Sequence, residues 1–147
     1  MGMSPHIREF VESDRPALQK LYVASRAEAF PWLAPSVLQL GDFDTDTREE
    51  RVIVALLGDI RVGFASIWEP DSFLHNLFVH PDYLRRGIGR ALVERSMSYF
   101  DGPATLKCLQ ANSRAHAFYR HLGWHVTGYG ESSDGRYYLM TAGRTGV

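Results

Sequence analysis

A single cysteine, Cys108, stands in 147 residues. That excludes an internal disulfide framework and leaves nothing for a thiolate metal cluster; a buried strand thiol is its expected role. His121 and His125 have helical spacing, but Gly123 interrupts the helix between them and no acid stands at a matching turn, so no metal site is expected. No apolar run approaches the length of a membrane span, and Met1-Gly2-Met3-Ser4-Pro5-His6 lacks a basic region followed by an apolar one. The cytoplasm is therefore the default location, with no membrane partner. Neither charge sign is in excess: 16 Lys and Arg against 17 Asp and Glu leave a net charge of −1, and without a basic face no nucleic-acid partner is expected. The chain also lacks any Gly-Lys-Ser/Thr, which removes the P-loop.

What is present is ordinary for a folded domain, 45% apolar and 22% charged residues. One domain spanning 1–147 is expected, with no repeat and no linker. Its organising stretch is Leu77-Phe78-Val79-His80-Pro81-Asp82-Tyr83-Leu84-Arg85-Arg86-Gly87-Ile88-Gly89-Arg90-Ala91-Leu92. The run Phe73 to Val79 reads as a strand stopped by Pro81 and Asp82, and Ile88, Leu92, Val93 and Met97 recur at helical spacing. The first turn of a helix carries N–H groups without intrahelical partners, and the helix dipole adds positive character there. Glycines at 87 and 89 let a ligand reach that backbone, and Arg85, Arg86 and Arg90 add full charges, so the loop predicts a pyrophosphate cradle. A dinucleotide fingerprint fails, because Leu92 stands where its third glycine belongs and Leu106 and Lys107 replace the later acid.

Val79-His80-Pro81-Asp82-Tyr83 leading into Arg86-Gly87-Ile88-Gly89-Arg90-Ala91-Leu92 resembles the acetyl-CoA loop of the GCN5-related N-acetyltransferases (GNAT). That loop motif is Gln/Arg-x-x-Gly-x-Gly/Ala, and its first position falls here on Leu84, which offers no polar side chain. A second stretch, Asn112-Ser113-Arg114-Ala115-His116-Ala117-Phe118-Tyr119-Arg120-His121-Leu122-Gly123-Trp124, is similar to the family's Asn-x-x-Ala-x-x-Phe-Tyr-x-x-x-Gly-Phe signature. The two motifs stand in the family's order. The resemblance is strongest from Phe73 to Val126 and weakest after Gly128.

The remaining elements follow from local signals. Ile7 to Val11 reads as a strand, and Ser13-Asp14-Arg15-Pro16 starts a helix whose buried face is Ala17, Leu18, Leu21, Tyr22 and Ser25. Two prolines interrupt Phe30 to Pro35, and Ser36 is placed to cap a short helix through Val37, Leu38 and Leu40. Phe30, Trp32 and Phe43 are candidate pocket aromatics. Asp42, Asp44, Asp46, Glu49 and Glu50 read as a solvated acidic loop, with steering of a cationic amine as the sharper alternative. Val52 to Leu57 and Ile60 to Trp68 form a hairpin, and Gly63 inside the second strand suggests a bulge or a close backbone approach. Ala104 to Leu109, a helix capped by Asn112, Trp124 to Thr127 and Tyr137 to Thr141 complete the order β, α, α, β, β, β, α, β, α, β, β. The fold class is α/β, and the resemblance implies the GNAT fold: a mixed central sheet of about seven strands with about four helices, the fourth and fifth strands splayed around the cofactor.

The resemblance further implies acetyl-CoA as cofactor. The pantetheine arm would lie along Leu77, Phe78 and Val79, the pyrophosphate on Arg85, Arg86, Gly87, Ile88, Gly89 and Arg90, and polar contacts near Asn112, Ala115 and Tyr119, with Asn76 a further polar candidate. The implied reaction is acetyl transfer to a primary amine of a small molecule or peptide by direct attack in a ternary complex. Tyr119 matches the family's tyrosine and is the candidate general acid. His75 is the candidate general base, since imidazole titrates in the useful range, with Glu69, Asp71 or a water relay competing. A non-catalytic acetyl-CoA-binding module is the alternative, and a homodimer is the default oligomer.

Overall fold

A computed structural model describes residues 4–142. Part of the N-terminal stretch read for a leader, Met1 to Met3, lies outside the described residues, as do 143–147. The strands are β1 (His6–Glu9), β2 (Arg51–Leu57), β3 (Ile60–Trp68), β4 (Phe73–Val79), β5 (Thr105–Leu109), β6 (Trp124–Ser132) and β7 (Gly135–Ala142). They form one mixed sheet ordered β1-β2-β3-β4-β5-β7-β6. The α-helices are α1 (Arg15–Ala29), α2 (Asp42–Asp46), α3 (Ile88–Met97) and α4 (Ser113–His121). The expected α/β architecture and element order are both observed.

Strand alternation divides the core between two layers. Val54, Leu56 and Phe64 face Leu18, Leu21 and Tyr22 of α1 and Phe43 of α2. Ile53, Ala55, Val62 and Ala65 face the opposite side, toward Ile88, Leu92 and Val93 of α3 and Tyr119 of α4. Helices on both sides explain why β2 and the centre of β3 are buried on both faces rather than alternating.

Two irregularities shape the centre. Between Ala55↔Gly63 and Leu56↔Arg61 the β2–β3 register leaves Val62 as an extra residue. A Cβ on Gly63 would lie 2.9 Å from the Phe78 carbonyl oxygen and 3.1 Å from Leu92 Cδ1, so both the bulge and the close approach expected there are present. Between Ser66↔Asn76 and Ile67↔Leu74 the β3–β4 register skips His75, which is therefore a bulged residue.

β4 and β5 run parallel, which requires a crossover that α3 supplies. They pair only at Phe73↔Thr105 and Leu74↔Leu106. Beyond Leu74 the strands part, as the family resemblance implied.

Several local expectations are corrected. The short helix expected after Ser36 is a 3₁₀ turn, Pro35–Val37, and the α-helix falls instead on Asp42–Asp46. The acidic stretch is accordingly no free loop. Asp44 pairs with Arg15 and accepts from Gln19, Asp42 pairs with Arg26, and Asp46 accepts from the Tyr22 hydroxyl. β1 ends at Glu9, short of the expected Val11. Asp14 precedes α1 without capping it, because its fully buried carboxylate accepts from Arg8, Arg61 and the Val11 N–H.

Candidate active site

The parting of β4 and β5 opens a cavity of about 600 Å³. His75, Leu77 and Phe78 of β4 line one wall, and Asn112, Ala115 and Tyr119 line another, so these six sequence-selected site residues meet here. Val79 does not line it: its side chain packs in the core and its carbonyl accepts from Ser25 Oγ at 3.1 Å. Cys108 of β5 does line it, and burial pushes its thiol up to about 11, so it is a neutral wall group.

Tyr119 is buried, at 8% exposure, and packs edge-on against Phe118 and Trp124 with ring centroids 5.1 and 5.8 Å away. α4 presents it there because Asn112 Oδ1 caps the helix through the Ala115 N–H at 3.1 Å and Gly123, at φ 96°, ends it. Its hydroxyl makes no hydrogen bond among the described residues. Burial raises its pKa well above that of a free phenol, so the group keeps its proton across the physiological range.

The glycine loop lies at the other end of β4. Asp82 N–H donates to His80 Nδ1 at 3.1 Å, forming a tight turn after Val79. Arg85 at φ 64° and Gly87 at φ 79° then take left-handed backbone, which brings successive N–H groups to one side. No backbone N–H from Leu84 through Arg90 donates to a protein acceptor among the described residues, and the first bond of α3 runs from Ala91 to Gly87. Arg85, Arg86, Gly87 and Arg90 are exposed, whereas the Ile88 side chain anchors the loop in the core at 1% exposure. This is a cradle of unpaired donors with cations around it, and it fits a pyrophosphate.

His75 Nδ1 lies 2.7 Å from Glu50 Oε2, and the carboxylate beside it raises the imidazole pKa. Of its competitors, Glu69 is held by Arg51 at 2.9 Å and Asp71 is exposed in a 3₁₀ turn; neither lines the cavity. Asn76, a polar candidate near the thioester, also lines the cavity; its Nδ2 donates to Ser66 Oγ at 2.8 Å and the Asp46 carbonyl at 3.2 Å, which leaves Oδ1 without a protein partner among the described residues. Phe43 is core, at 1% exposure, and does not line this cavity, while Phe30 and Trp32 do. His121 and His125 form no metal cluster among the described residues.

Three groups at or beside the cavity, two in its wall and one behind His75, escaped the sequence reading as site residues. Tyr22 and Arg26 of α1 line the cavity, with the guanidinium 3.8 Å from the Tyr22 ring centre. Their i,i+4 spacing was a usable signal. Glu50 had none, because its partner lies 25 residues away.

A split parallel pair, a donor-lined loop at its end and a buried tyrosine inside the opening define a cofactor-dependent transferase fold. The family model described as "Acetyltransferase (GNAT) family" matches residues 11–124, and the chain belongs to that family. It is an acetyltransferase, and acetyl-CoA is its acetyl donor. Among curated relatives it is 30% identical over 126 residues to the ribosomal protein bS18-alanine N-acetyltransferase of Escherichia coli K12, covering 78% of this chain and 81% of the relative. The apo form of YjaB from Escherichia coli shares the fold with a TM-score of 0.80 at 24% identity, covering 95% of this chain and 97% of that one. The PaiA N-acetyltransferase of Thermoplasma acidophilum, solved in complex with coenzyme A, superposes with a TM-score of 0.76 at 17% identity, covering 95% and 99%. Among the described residues no helix is long and apolar enough to cross a membrane.

Proposed function

We propose that the protein transfers an acetyl group from acetyl-CoA to the primary amine of a peptide or small molecule, by direct attack within a ternary complex. The observation that carries this reading is Tyr119, a buried residue whose protonated hydroxyl is free of protein partners at the cavity wall. Acetyl-CoA supplies an acetyl group activated as a thioester. The loop from Leu84 to Arg90 holds its pyrophosphate with backbone donors, and Arg85, Arg86 and Arg90 balance the charge. Leu77 and Phe78 line the path between loop and cavity, and Asn112 and Ala115 fix the start of α4.

Tyr119 donates the proton that the departing sulfur needs, and its raised pKa keeps that proton in place until the transfer. His75 takes the proton that the acceptor amine must shed. A peptide amine is favoured among acceptors, because the 30%-identical relative is named for acetylating an alanine of a ribosomal protein. Phe30 and Trp32 give the cavity mouth apolar surface against which residues beyond the amine can pack.

The test is thiol release from acetyl-CoA over a panel of peptides with free N-terminal amines, lysine peptides with blocked N-termini, and small amines. Amine-dependent release, fastest with a peptide, is the expected result. Acetyl-CoA binding with no release on any amine would return the chain to a binding module.

A further inference from the structure

The turn between α2 and β2 is built with unusual care for a surface connection. Thr47 Oγ1 donates to the Phe43 carbonyl at 2.7 Å, and the Glu50 N–H closes on the Thr47 carbonyl at 3.0 Å. Between them Glu49 takes left-handed backbone at φ 65°, a conformation disfavoured for a non-glycine residue. The outcome is a Glu50 side chain only 11% exposed, one oxygen on His75 Nδ1 and the other, Oε1, buried without a partner. Glu50 also lines a polar groove that does not include His75, while His75 lines the catalytic cavity. The pair thus stands between two solvent spaces.

The neighbours of His75 decide which ring nitrogen carries the proton. Asn76 Nδ2 comes within 3.3 Å of Nδ1, but its two hydrogens already go to Ser66 Oγ and the Asp46 carbonyl. No donor is left to cap Nδ1, and an ionised carboxylate can only accept. The proton between Nδ1 and Glu50 therefore belongs to the imidazole. That leaves the Nε2 lone pair open, with no protein partner among the described residues.

We propose that Glu50 is a positioning residue for the reaction: it holds neutral His75 in the Nδ1–H form so that Nε2 is the nitrogen that receives the proton of the acceptor amine. This rests on the reading of His75 as the base. As the amine's nitrogen bonds to the acetyl carbon, the carbon–sulfur bond breaks and the sulfur leaves as the thiol with the proton of Tyr119, which water restores, while the amine's N–H bond breaks and its proton goes to Nε2. The resulting imidazolium is held by Glu50 and later loses its proton to water. Asp46, from α2, adds negative potential that supports the cation, and Lys107, from β5, opposes it; the Phe73 ring stacks on the imidazole at 5.9 Å and carries no charge. The bulge at position 75 turns the ring toward the turn that carries Glu50. A free histidine prefers to carry its proton on Nε2, so the Nδ1–H form is a specific signature of this pairing.

The experiment is a ¹⁵N–¹H long-range spectrum of the His75 ring in the full chain across pH, for parent and Glu50→Gln, alongside kcat profiles on the best amine of the panel. The parent should show the Nδ1–H tautomer and titrate above the ordinary value of about 6.5. Glu50→Gln should titrate lower, move the acidic limb of kcat to lower pH, and turn over at least about tenfold more slowly at the plateau. If parent His75 carries its proton on Nε2, or Glu50→Gln keeps both limb and plateau, the inference is overturned while the base assignment stands. If His75→Gln keeps the acidic limb, the base assignment itself falls. Should Glu50→Gln fail to fold, the parent tautomer alone decides.

Discussion

Gly89 and Phe118 interlock: a Cβ on Gly89 would stand 3.1 Å from Cζ of Phe118 and 3.8 Å from Cγ2 of Val79. The glycine is thus both a place where a ligand can reach backbone and the point where α3, α4 and the end of β4 meet. Gly89→Val should weaken acetyl-CoA binding at least about tenfold, and it should also lower the melting temperature, because a ring held by packing must move. Calorimetric titration with acetyl-CoA and a thermal melt separate the two effects. Parent-like affinity in Gly89→Val would remove the loop from the cofactor site.

Tyr119→Phe deletes one oxygen and keeps the edge contacts with Phe118 and Trp124. A proton donated only as the transfer occurs contributes to the transition state, so kcat should fall while the acetyl-CoA dissociation constant stays within about twofold. General-acid assistance is commonly about 10²- to 10⁴-fold, and the low end is expected because a thiolate leaves readily. Single-turnover transfer with matched melts is the measurement. A full rate in a folded variant would take Tyr119 out of the mechanism.

His75→Ala should slow transfer most near neutral pH and recover partly at high pH, where more of the acceptor amine is already neutral. The sign follows from Glu50: a raised imidazole pKa keeps His75 charged to higher pH, so a base role predicts activity rising with pH through that raised value. Loss of this limb in His75→Ala is the expected pH–rate profile.

Asp14 offers a stability test remote from the cavity. Arg8, Arg61 and the Val11 N–H hold its carboxyl well below the usual carboxylate range despite complete burial. A depressed pKa contributes stability above the unfolded value of about 3.9 and loses it as pH falls through the folded value. Asp14→Ala should destabilise by roughly 3 kcal/mol at neutral pH and flatten the acid side of the stability curve. Melts from about pH 2 to pH 7 would show it.

Much of this was legible before any coordinates. Periodicity, prolines and glycines placed β2, β3, β4 and α3, since those signals act within a few residues of themselves. Tyr119, Asn112 and the glycine loop came from contiguous motifs. What failed to show was contact across the chain. Phe43 looked like a pocket aromatic because nothing near it in sequence announces Phe10, Tyr22 and Phe64, which enclose it. The acids of α2 looked solvated because Arg15, Gln19 and Arg26 lie on another helix. Asn76 looked free to donate to a ligand, but Ser66, its neighbour across the sheet, takes its Nδ2 and only Oδ1 is left to the cavity it lines.

The early parting of β4 from β5 has a cost that the outer strands do not share. An unpaired strand flank is a template on which other extended chains can add, and β1 and β6 already form the two margins of the sheet. The fork creates further open flanks, lying inside the molecule. Lys107 on β5 sets a charge in that opening, and Tyr22 and Arg26 of α1 with Ala115 and Tyr119 of α4 wall it, so the two helices serve as its covers. Loosening either helix would expose sticky main chain before the fold as a whole gives way.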